Sequence, residues 1–206
     1  MSNVNIKRTV ENISPKTTIY TPIIEVIVNA IQAITSEGNM EGKIVIRVHR
    51  SEQTEMDDNP GFDIEGNGIG FDNVNRDSFD TLYTDHKIDE GGKGFGRFTC
   101  LKYFENVHID STYKEGANFK RRTFSMRKKN DIIVDEKIYD TEEANTGSVV
   151  KLLTLKKGKT IDKKLKTIAR NLLEKLLPYF ITDGYSCPEI VLSESDGTGS
   201  IKLNDF

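Results

Sequence analysis

The sequence has 206 residues, of which 36% are hydrophobic and 30% charged, and its formal net charge is −3 from 29 basic and 32 acidic side chains. This composition is typical of an ordinary soluble protein, and the near-balanced charge argues against a protein that wraps nucleic acid. No apolar run approaches the ~20 residues that span a bilayer, and the N-terminal segment lacks the apolar centre of a signal peptide. Since only Cys100 and Cys187 are present, we expect a cytoplasmic protein with reduced thiols.

The first predicted element is a helix that begins at Thr21 and Pro22 and continues to about Ser36. Threonine and proline are favoured where helices begin, and a glycine at position 38 is typical of a helix end. One face of this helix is apolar at helical spacing (Ile24, Ile27, Val28, Ile31 and Ile34). Glu25 and Asn29 are four residues apart, so they share another side of the helix.

Two strands and two glycine turns are predicted next. Residues 43–50 alternate as a half-buried strand, and residues 62–65 form a second strand that leads into a glycine turn at 66–71. Residues 72–90 are polar with weak periodicity, which predicts a mobile lid. A second glycine turn at residues 91–96 precedes a short predicted helix at 97–107.

The second half of the chain reads as a meander followed by a helix and a hairpin. Strands are predicted at residues 107–113, 118–126, 131–139 and 148–155, then a helix at 161–177 ended by Pro178, then a hairpin around 196–199. We interpret two basic clusters, residues 120–129 and 156–166, as solvated faces without a function. The order of elements predicts an α/β two-layer sandwich, a mixed β-sheet with helices on one face.

Several residues suit the binding of a magnesium nucleotide. Asn29 can offer a side-chain carbonyl to Mg²⁺, and Glu25, one turn earlier, can act on a water molecule beyond the terminal phosphate. The second glycine turn exposes backbone amides at a helix N-terminus, where Lys93 adds positive charge. Neither glycine turn has the spacing of a Walker A loop or of a dinucleotide-binding fingerprint.

Four segments, in chain order, resemble the GHKL ATPases, the superfamily of gyrase B, heat-shock chaperones, histidine kinases and MutL. They are residues 25–33, 66–71, 92–98 and 147–150, with a gap of lid size between the second and the third. The resemblance covers roughly residues 22–152 and implies the Bergerat fold. We expect a domain at 1–157 with a lid at about 72–90, followed by a C-terminal helix and hairpin at residues 158–206. The abrupt end of the sequence after the hairpin is consistent with the start of a following domain in a longer protein.

Positions carried over from the family give the candidate site. The resemblance implies that ATP and Mg²⁺ are the cofactors, that Asn29 binds the metal and that Glu25 orients or deprotonates the attacking water. The remaining residues implied to bind the nucleotide are Ala33, Gly66, Gly68, Gly70, Gly92, Lys93, Gly94, Phe95, Gly96 and Ser148. Ser148 occupies the place where the family usually has a threonine beside the base.

One position departs from the family pattern. Gly66 stands where the family has an aspartate that accepts a hydrogen bond from the adenine amino group, and the adjacent Glu65 would point to the opposite face of a strand. Losing such a bond costs about 1.5–3 kcal/mol, roughly tenfold to a hundredfold in affinity. A water molecule in the gap, a weakened natural relative and an introduced substitution are all consistent with this glycine.

Four functions are consistent with these features. The leading hypothesis is an ATPase whose lid closure drives homodimerisation or controls a partner, and which is slow without a catalytic lysine from a following domain. A non-hydrolysing nucleotide sensor or scaffold, with ATP binding weakened by Gly66, is the alternative. The third is the catalytic half of a histidine kinase, although His49, His86 and His108 do not lie on a preceding helical hairpin. The fourth is a plain α/β interaction domain.

Overall fold

The computed structural model describes residues 16–38, 41–50, 60–80, 96–127 and 132–206, with residues 78, 80, 96 and 97 described by backbone alone. Within these ranges lie four α-helices: α1 (Tyr20–Glu37), α2 (Asn73–Asp80), α3 (Gly96–Tyr103) and α4 (Leu165–Ile181). The strands are β1 (Lys43–His49), β2 (Gly61–Gly66), β3 (Phe104–Glu115), β4 (Asn118–Met126), β5 (Ile133–Thr141), β6 (Gly147–Leu155), β7 (Glu189–Glu194) and β8 (Ser200–Lys202). A short 3-10 helix, Leu203–Asp205, follows β8.

All eight strands join one mixed sheet in the order β5-β4-β3-β6-β2-β1-β7-β8. β1 and β7 are parallel, and the other neighbours are antiparallel. α1 packs on β1 and β2, α3 on β3, and α4 on β7 and β8, around one continuous hydrophobic core. The predicted α/β sandwich, a mixed sheet covered by helices on one face, is therefore confirmed.

α1 forms where the sequence predicts a helix, but it begins at Tyr20, two residues before Pro22, so that Thr21 lies inside the helix and does not cap it. Ile23, Ile27 and Ile31 are at most 1% exposed, and burying a side chain of this size contributes about 1.5–3 kcal/mol. Gly38 ends the helix in the left-handed conformation, with a φ of 67°, and its N–H bonds to carbonyls of the last turn. The apolar stripe thus places the opposite side of α1 toward solvent.

Two predicted helix ends are wrong. α3 ends at Tyr103, and residues 104–107, expected to be helical, begin β3, because the buried positions Val107 and Ile109 alternate and pair with β6. α4 continues through Pro178 to Ile181. Tyr179 and Phe180 pack against the core beyond the proline, so packing outweighs the one helical hydrogen bond that proline removes.

The first part of the predicted lid contains α2, which the weak periodicity of residues 72–90 does not reveal. The Asp72 side chain accepts a hydrogen bond from the N–H of Asn75 at 2.7 Å, which is the bond that an N-terminal cap makes. The Phe79 ring of α2 lies 5.4 Å from Phe71 and 5.9 Å from Phe124, centroid to centroid. These contacts hold this helix against the sheet, and residues 81–90 of the predicted lid lie outside the described residues.

The predicted C-terminal hairpin is confirmed, since β7 and β8 pair antiparallel on either side of residues 196–199. β7 also pairs with β1, so the hairpin extends the main sheet. The division of the chain at residue 157 stays a prediction. No helix in the described ranges is long and apolar enough to cross a membrane.

Candidate functional site

The first glycine turn docks on the backbone of α1. A Cβ atom added to Gly68 would lie 2.6 Å from the backbone carbon of Ala33, so any side chain there would separate the turn from the helix. The N–H of Ile69 donates to the Ala33 carbonyl at 3.3 Å. Ala33 is one helical turn after Asn29, and the fold therefore brings the first two predicted segments together.

The same turn is fixed at two further points. Gly70 has a φ of 80°, and a Cβ atom added to it would lie 2.3 Å from the Thr112 carbonyl oxygen. The Asn67 side chain accepts the N–H of Lys43 at 2.7 Å and donates to the Glu41 carbonyl at 3.0 Å. Gly68 and Gly70 thus have internal structural reasons to be glycine, in addition to the nucleotide contact that the resemblance implies.

Gly66 ends β2 on the face of the sheet that α1 covers. A Cβ atom added there would lie 3.1 Å from the Ala30 Cβ, a close contact with the helix. Glu65 lies on the opposite face, as expected, and accepts a hydrogen bond from Arg47 at 2.7 Å. The carboxylate of Glu65 therefore does not replace an aspartate at position 66.

Ser148 lies directly across the strand pair from Gly66, in register between β2 and β6. Its hydroxyl is 2.8 Å from the hydroxyl of Ser111, a buried residue on the adjacent strand β3. A Cβ atom added to the neighbouring Gly147 would lie 2.9 Å from the Gly66 carbonyl oxygen. The second and fourth predicted segments thus meet at the end of β2.

Glu25 and Asn29 lie on the exposed side of α1. This helix packs against α3, where burial and then the nearby Glu25 carboxylate raise the pKa of the Cys100 thiol to about 12. Cys100 is therefore a neutral buried thiol at physiological pH rather than a nucleophile. Cys100 and Cys187 are both unpaired, as the sequence predicts.

The third predicted segment is only partly described. Gly92, Lys93, Gly94 and Phe95 lie outside the described residues, and Gly96 is the first residue of α3. Phe98, in the first turn of α3, is buried. The described part of this segment thus places a helix N-terminus after the second glycine turn, as predicted, and beside α1.

A buried arginine fixes the residues that connect the glycine turn to α2. Arg122 is 2% exposed, and its guanidinium donates to the carbonyls of Phe71 and Asp72 at 2.7 and 2.6 Å and to Asn73 Oδ1 at 2.5 Å. The guanidinium carbon lies 5.1 Å from the centroid of the Tyr113 ring. Arg122 therefore holds the start of the predicted lid on the sheet.

The solvated-face interpretation of the first basic cluster is wrong for Arg122. Lys120 pairs with Glu115 at the surface, and Arg121 pairs with Asp110 while 38% exposed. Arg122 shares the inward face of β4 with Phe124 and Met126, which are both buried. The two-residue period of the strand is the signal that identifies it.

The residues present fit a nucleotide that brings its own metal. Among the residues that the structure describes, no group of three or more histidine, cysteine, aspartate or glutamate side chains can hold a metal ion. Mg²⁺ is commonly held by one or two protein oxygens together with substrate phosphates. Asn29 could offer an amide oxygen to the metal. Ser148, on β6, could offer a hydroxyl to the base, beside Gly66, which has no side chain.

The histidines in the described ranges make contacts within the sheet. His49 Nε2 lies 3.2 Å from Asp63 Oδ2, and His108 Nδ1 is 3.3 Å from the Ser125 hydroxyl. His86 lies outside the described residues. His49 and His108 thus lie beside polar side chains of neighbouring strands, although His49 Nε2 lacks the geometry of a hydrogen bond.

Comparison with known protein families agrees with this geometry. The family model described as histidine kinase-, DNA gyrase B-, and HSP90-like ATPase matches residues 16–156, more than half of the chain. A search of curated proteins gave no significant match. The matched range contains α1, residues 66–71, α3 and β6, which carry the described parts of the predicted segments. The chain therefore belongs to the family of histidine kinase-, DNA gyrase B- and HSP90-like ATPases and contains the ATP-binding module of that family.

Proposed function

We propose that this chain is an Mg²⁺-dependent ATPase module whose lid closes over bound ATP and thereby drives homodimerisation or controls a partner domain. Asn29 holds the metal, and Glu25 orients or deprotonates the attacking water. Ala33, Gly66, Gly68, Gly70 and Ser148 surround the base. The second glycine turn, Gly92, Lys93, Gly94, Phe95 and Gly96, receives the phosphates.

The observation that carries the proposal is the meeting of three separate segments at one end of α1 and β2. Ile69 bonds to the Ala33 carbonyl, and Gly66 pairs with Ser148. Asn29 is one turn from Ala33 on the exposed side of the same helix. With the base beside Ser148, the phosphates and the metal would lie toward the side of α1 that carries Asn29 and Glu25.

The bound Mg²⁺ would supply a charge that neutralises the phosphate oxygens. Asn29 is suited to hold it, since a neutral amide oxygen is a hard ligand that does not repel the phosphates. Glu25, one turn earlier, carries a carboxylate that can accept a proton from water. The helix N-terminus at Gly96 is a favourable location for an anion.

Replacing Glu25 with glutamine should reduce ATP hydrolysis to the uncatalysed background, while ATP binding changes little. Glutamine keeps the shape of the side chain but cannot take a proton, and general-base catalysis typically contributes about 10²–10⁴-fold in rate. Phosphate release under single-turnover conditions measures the rate, and calorimetry measures binding. Glu174→Gln, an exposed position on α4, is the matched control and should hydrolyse at the unaltered rate.

The second candidate function is a non-hydrolysing nucleotide sensor or scaffold. Gly66 favours it, because the helix-facing end of β2 has no side chain to accept a hydrogen bond from the base. If the unaltered chain binds ATP and hydrolyses it no faster than Glu25→Gln does, the ATPase proposal fails and the sensor function remains.

A further inference from the structure

Ser111 makes three polar contacts, although it is only 2% exposed. The backbone N–H of Phe71 donates to its hydroxyl at 2.8 Å, and the hydroxyl donates to the Gly147 carbonyl at 2.8 Å. The third neighbour is the Ser148 hydroxyl, also at 2.8 Å. Ser111 thus connects Phe71, the last residue of the first glycine turn, with the first two residues of β6.

The number of hydrogen atoms decides the direction of the bond between the two serines. A serine hydroxyl has one hydrogen and two lone pairs. A backbone N–H can only donate and a carbonyl oxygen can only accept. The N–H of Phe71 therefore occupies one lone pair of the Ser111 oxygen, and the hydroxyl hydrogen of Ser111 is used in the bond to the Gly147 carbonyl. Only a lone pair of Ser111 is left for Ser148, and Ser148 must therefore donate its own hydrogen to Ser111.

Ser148 is consequently left with two lone pairs and no hydrogen for a further partner. It is half-buried and lies opposite Gly66 in register, and directly opposite residues of an antiparallel pair have side chains about 4.5–5.5 Å apart. Gly66, which lacks a side chain, therefore lies opposite an oxygen that can only accept.

We propose that Ser111 is a positioning residue that fixes the Ser148 hydroxyl as a hydrogen-bond acceptor, so that the site selects a purine with an amino group at its 6-position. This inference rests on the proposed binding of ATP. It explains how a chain with Gly66 recognises adenine, because the fixed hydroxyl of Ser148 takes over the accepting role of the absent carboxylate. A purine without the amino group offers Ser148 no donor at that position.

The test compares Mg-ATP with the triphosphate of purine riboside, in which hydrogen replaces the 6-amino group, in calorimetric titrations. The unaltered chain should bind ATP about tenfold more tightly than this analogue, as expected for one hydrogen bond. Ser111→Ala should reduce that ratio to below about twofold by weakening ATP binding, because the Ser148 hydrogen is no longer held by Ser111. If Ser111 had only a structural role, Ser111→Ala would weaken the binding of both nucleotides equally and leave the ratio of their affinities unchanged.

Two further variants, Ser148→Ala and the double variant of Ser111 and Ser148, complete a double-mutant cycle. Ser148→Ala and the double variant should give the same ratio as Ser111→Ala, since all three remove one fixed acceptor. Ser111→Cys, whose thiol is a poor acceptor of similar size, serves if Ser111→Ala does not fold and should show the same loss. Ser125→Ala, on the opposite face of the sheet beside His108, is the control that keeps the full ratio.

The outcomes separate the inference from the function on which it rests. Equal binding of the two nucleotides by the unaltered chain, or a tenfold ratio that survives in Ser111→Ala, would overturn the role of Ser111 and leave ATP binding intact. Absence of binding for both nucleotides, in the unaltered chain and in Gly66→Asp, would overturn the proposed function and the inference with it.

Discussion

Replacing Gly66 with aspartate should tighten Mg-ATP binding about tenfold to a hundredfold. A hydrogen bond from an amino group to a charged acceptor contributes about 1.5–3 kcal/mol, which is the origin of this change in affinity. Position 66 faces α1 and lies opposite Ser148, and an exocyclic amino group has two hydrogens. A carboxylate at position 66 and the Ser148 hydroxyl can therefore each accept one of them.

The effect of the steric contact between the new side chain and α1 is measured separately, with Gly66→Ala. The added Cβ atom lies 3.1 Å from that of Ala30, so α1 must shift by a few tenths of an ångström. Gly66→Ala makes the same contact without a carboxylate and should leave ATP affinity unchanged or slightly lower. If calorimetry shows that Gly66→Asp binds no better than Gly66→Ala, position 66 does not face the base, and the assignment of this segment is wrong.

Replacing Arg122 with methionine should destabilise the protein by about 3 kcal/mol. The carbonyls of the half-buried residues Phe71 and Asp72 would lose the donors that Arg122 supplies, and a buried polar group left unsatisfied costs about 1–3 kcal/mol. Arg122 Nε also lies 3.3 Å from Glu136 Oε1, without the geometry of a hydrogen bond. The free energy of unfolding in urea measures the loss, and for a chain of this size Tm should fall by roughly 6–12 °C.

Arg121→Met is the matched control on the same strand. Arg121 forms two hydrogen bonds with Asp110, at 2.7 and 2.6 Å, but it is 38% exposed. Surface pairs of this kind contribute about 0–1 kcal/mol. Equal losses of stability in the two variants would show that the contacts of Arg122 with residues 71–73 do not hold the start of the lid.

α1 and the sheet are predictable because their signals are local. The isoleucines of α1 recur at helical spacing, and the alternation in β1 identifies its buried face. The position of Glu65 on the opposite face follows from the same two-residue period. Gly66 stands out in the sequence because its neighbours match the family pattern on both sides.

Ser111 and Arg122 depend on information that is not local. Their roles follow from the register that places Ser111 opposite both Ser148 and Arg122, on neighbouring strands. Ser111 is not identified from the sequence alone, and Arg122 is interpreted there as part of a solvated face. The carbonyls of Phe71 and Gly147 come near these two side chains only through the pairing of distant segments. The extension of α4 past Pro178 is similar, since the packing of Tyr179 and Phe180 against the core decides it.

Calorimetric titration of the unaltered chain with ATP, beside Asn29→Ala, tests the central claim most directly. With Mg²⁺ we expect saturable binding of one nucleotide per chain and about a tenfold weaker affinity in Asn29→Ala, as for the loss of one strong polar contact. With a chelator in place of Mg²⁺ the two proteins should bind equally, because Asn29 acts through the metal. No binding by the unaltered chain or by Gly66→Asp, in a folded protein, would contradict a nucleotide site between α1 and β2.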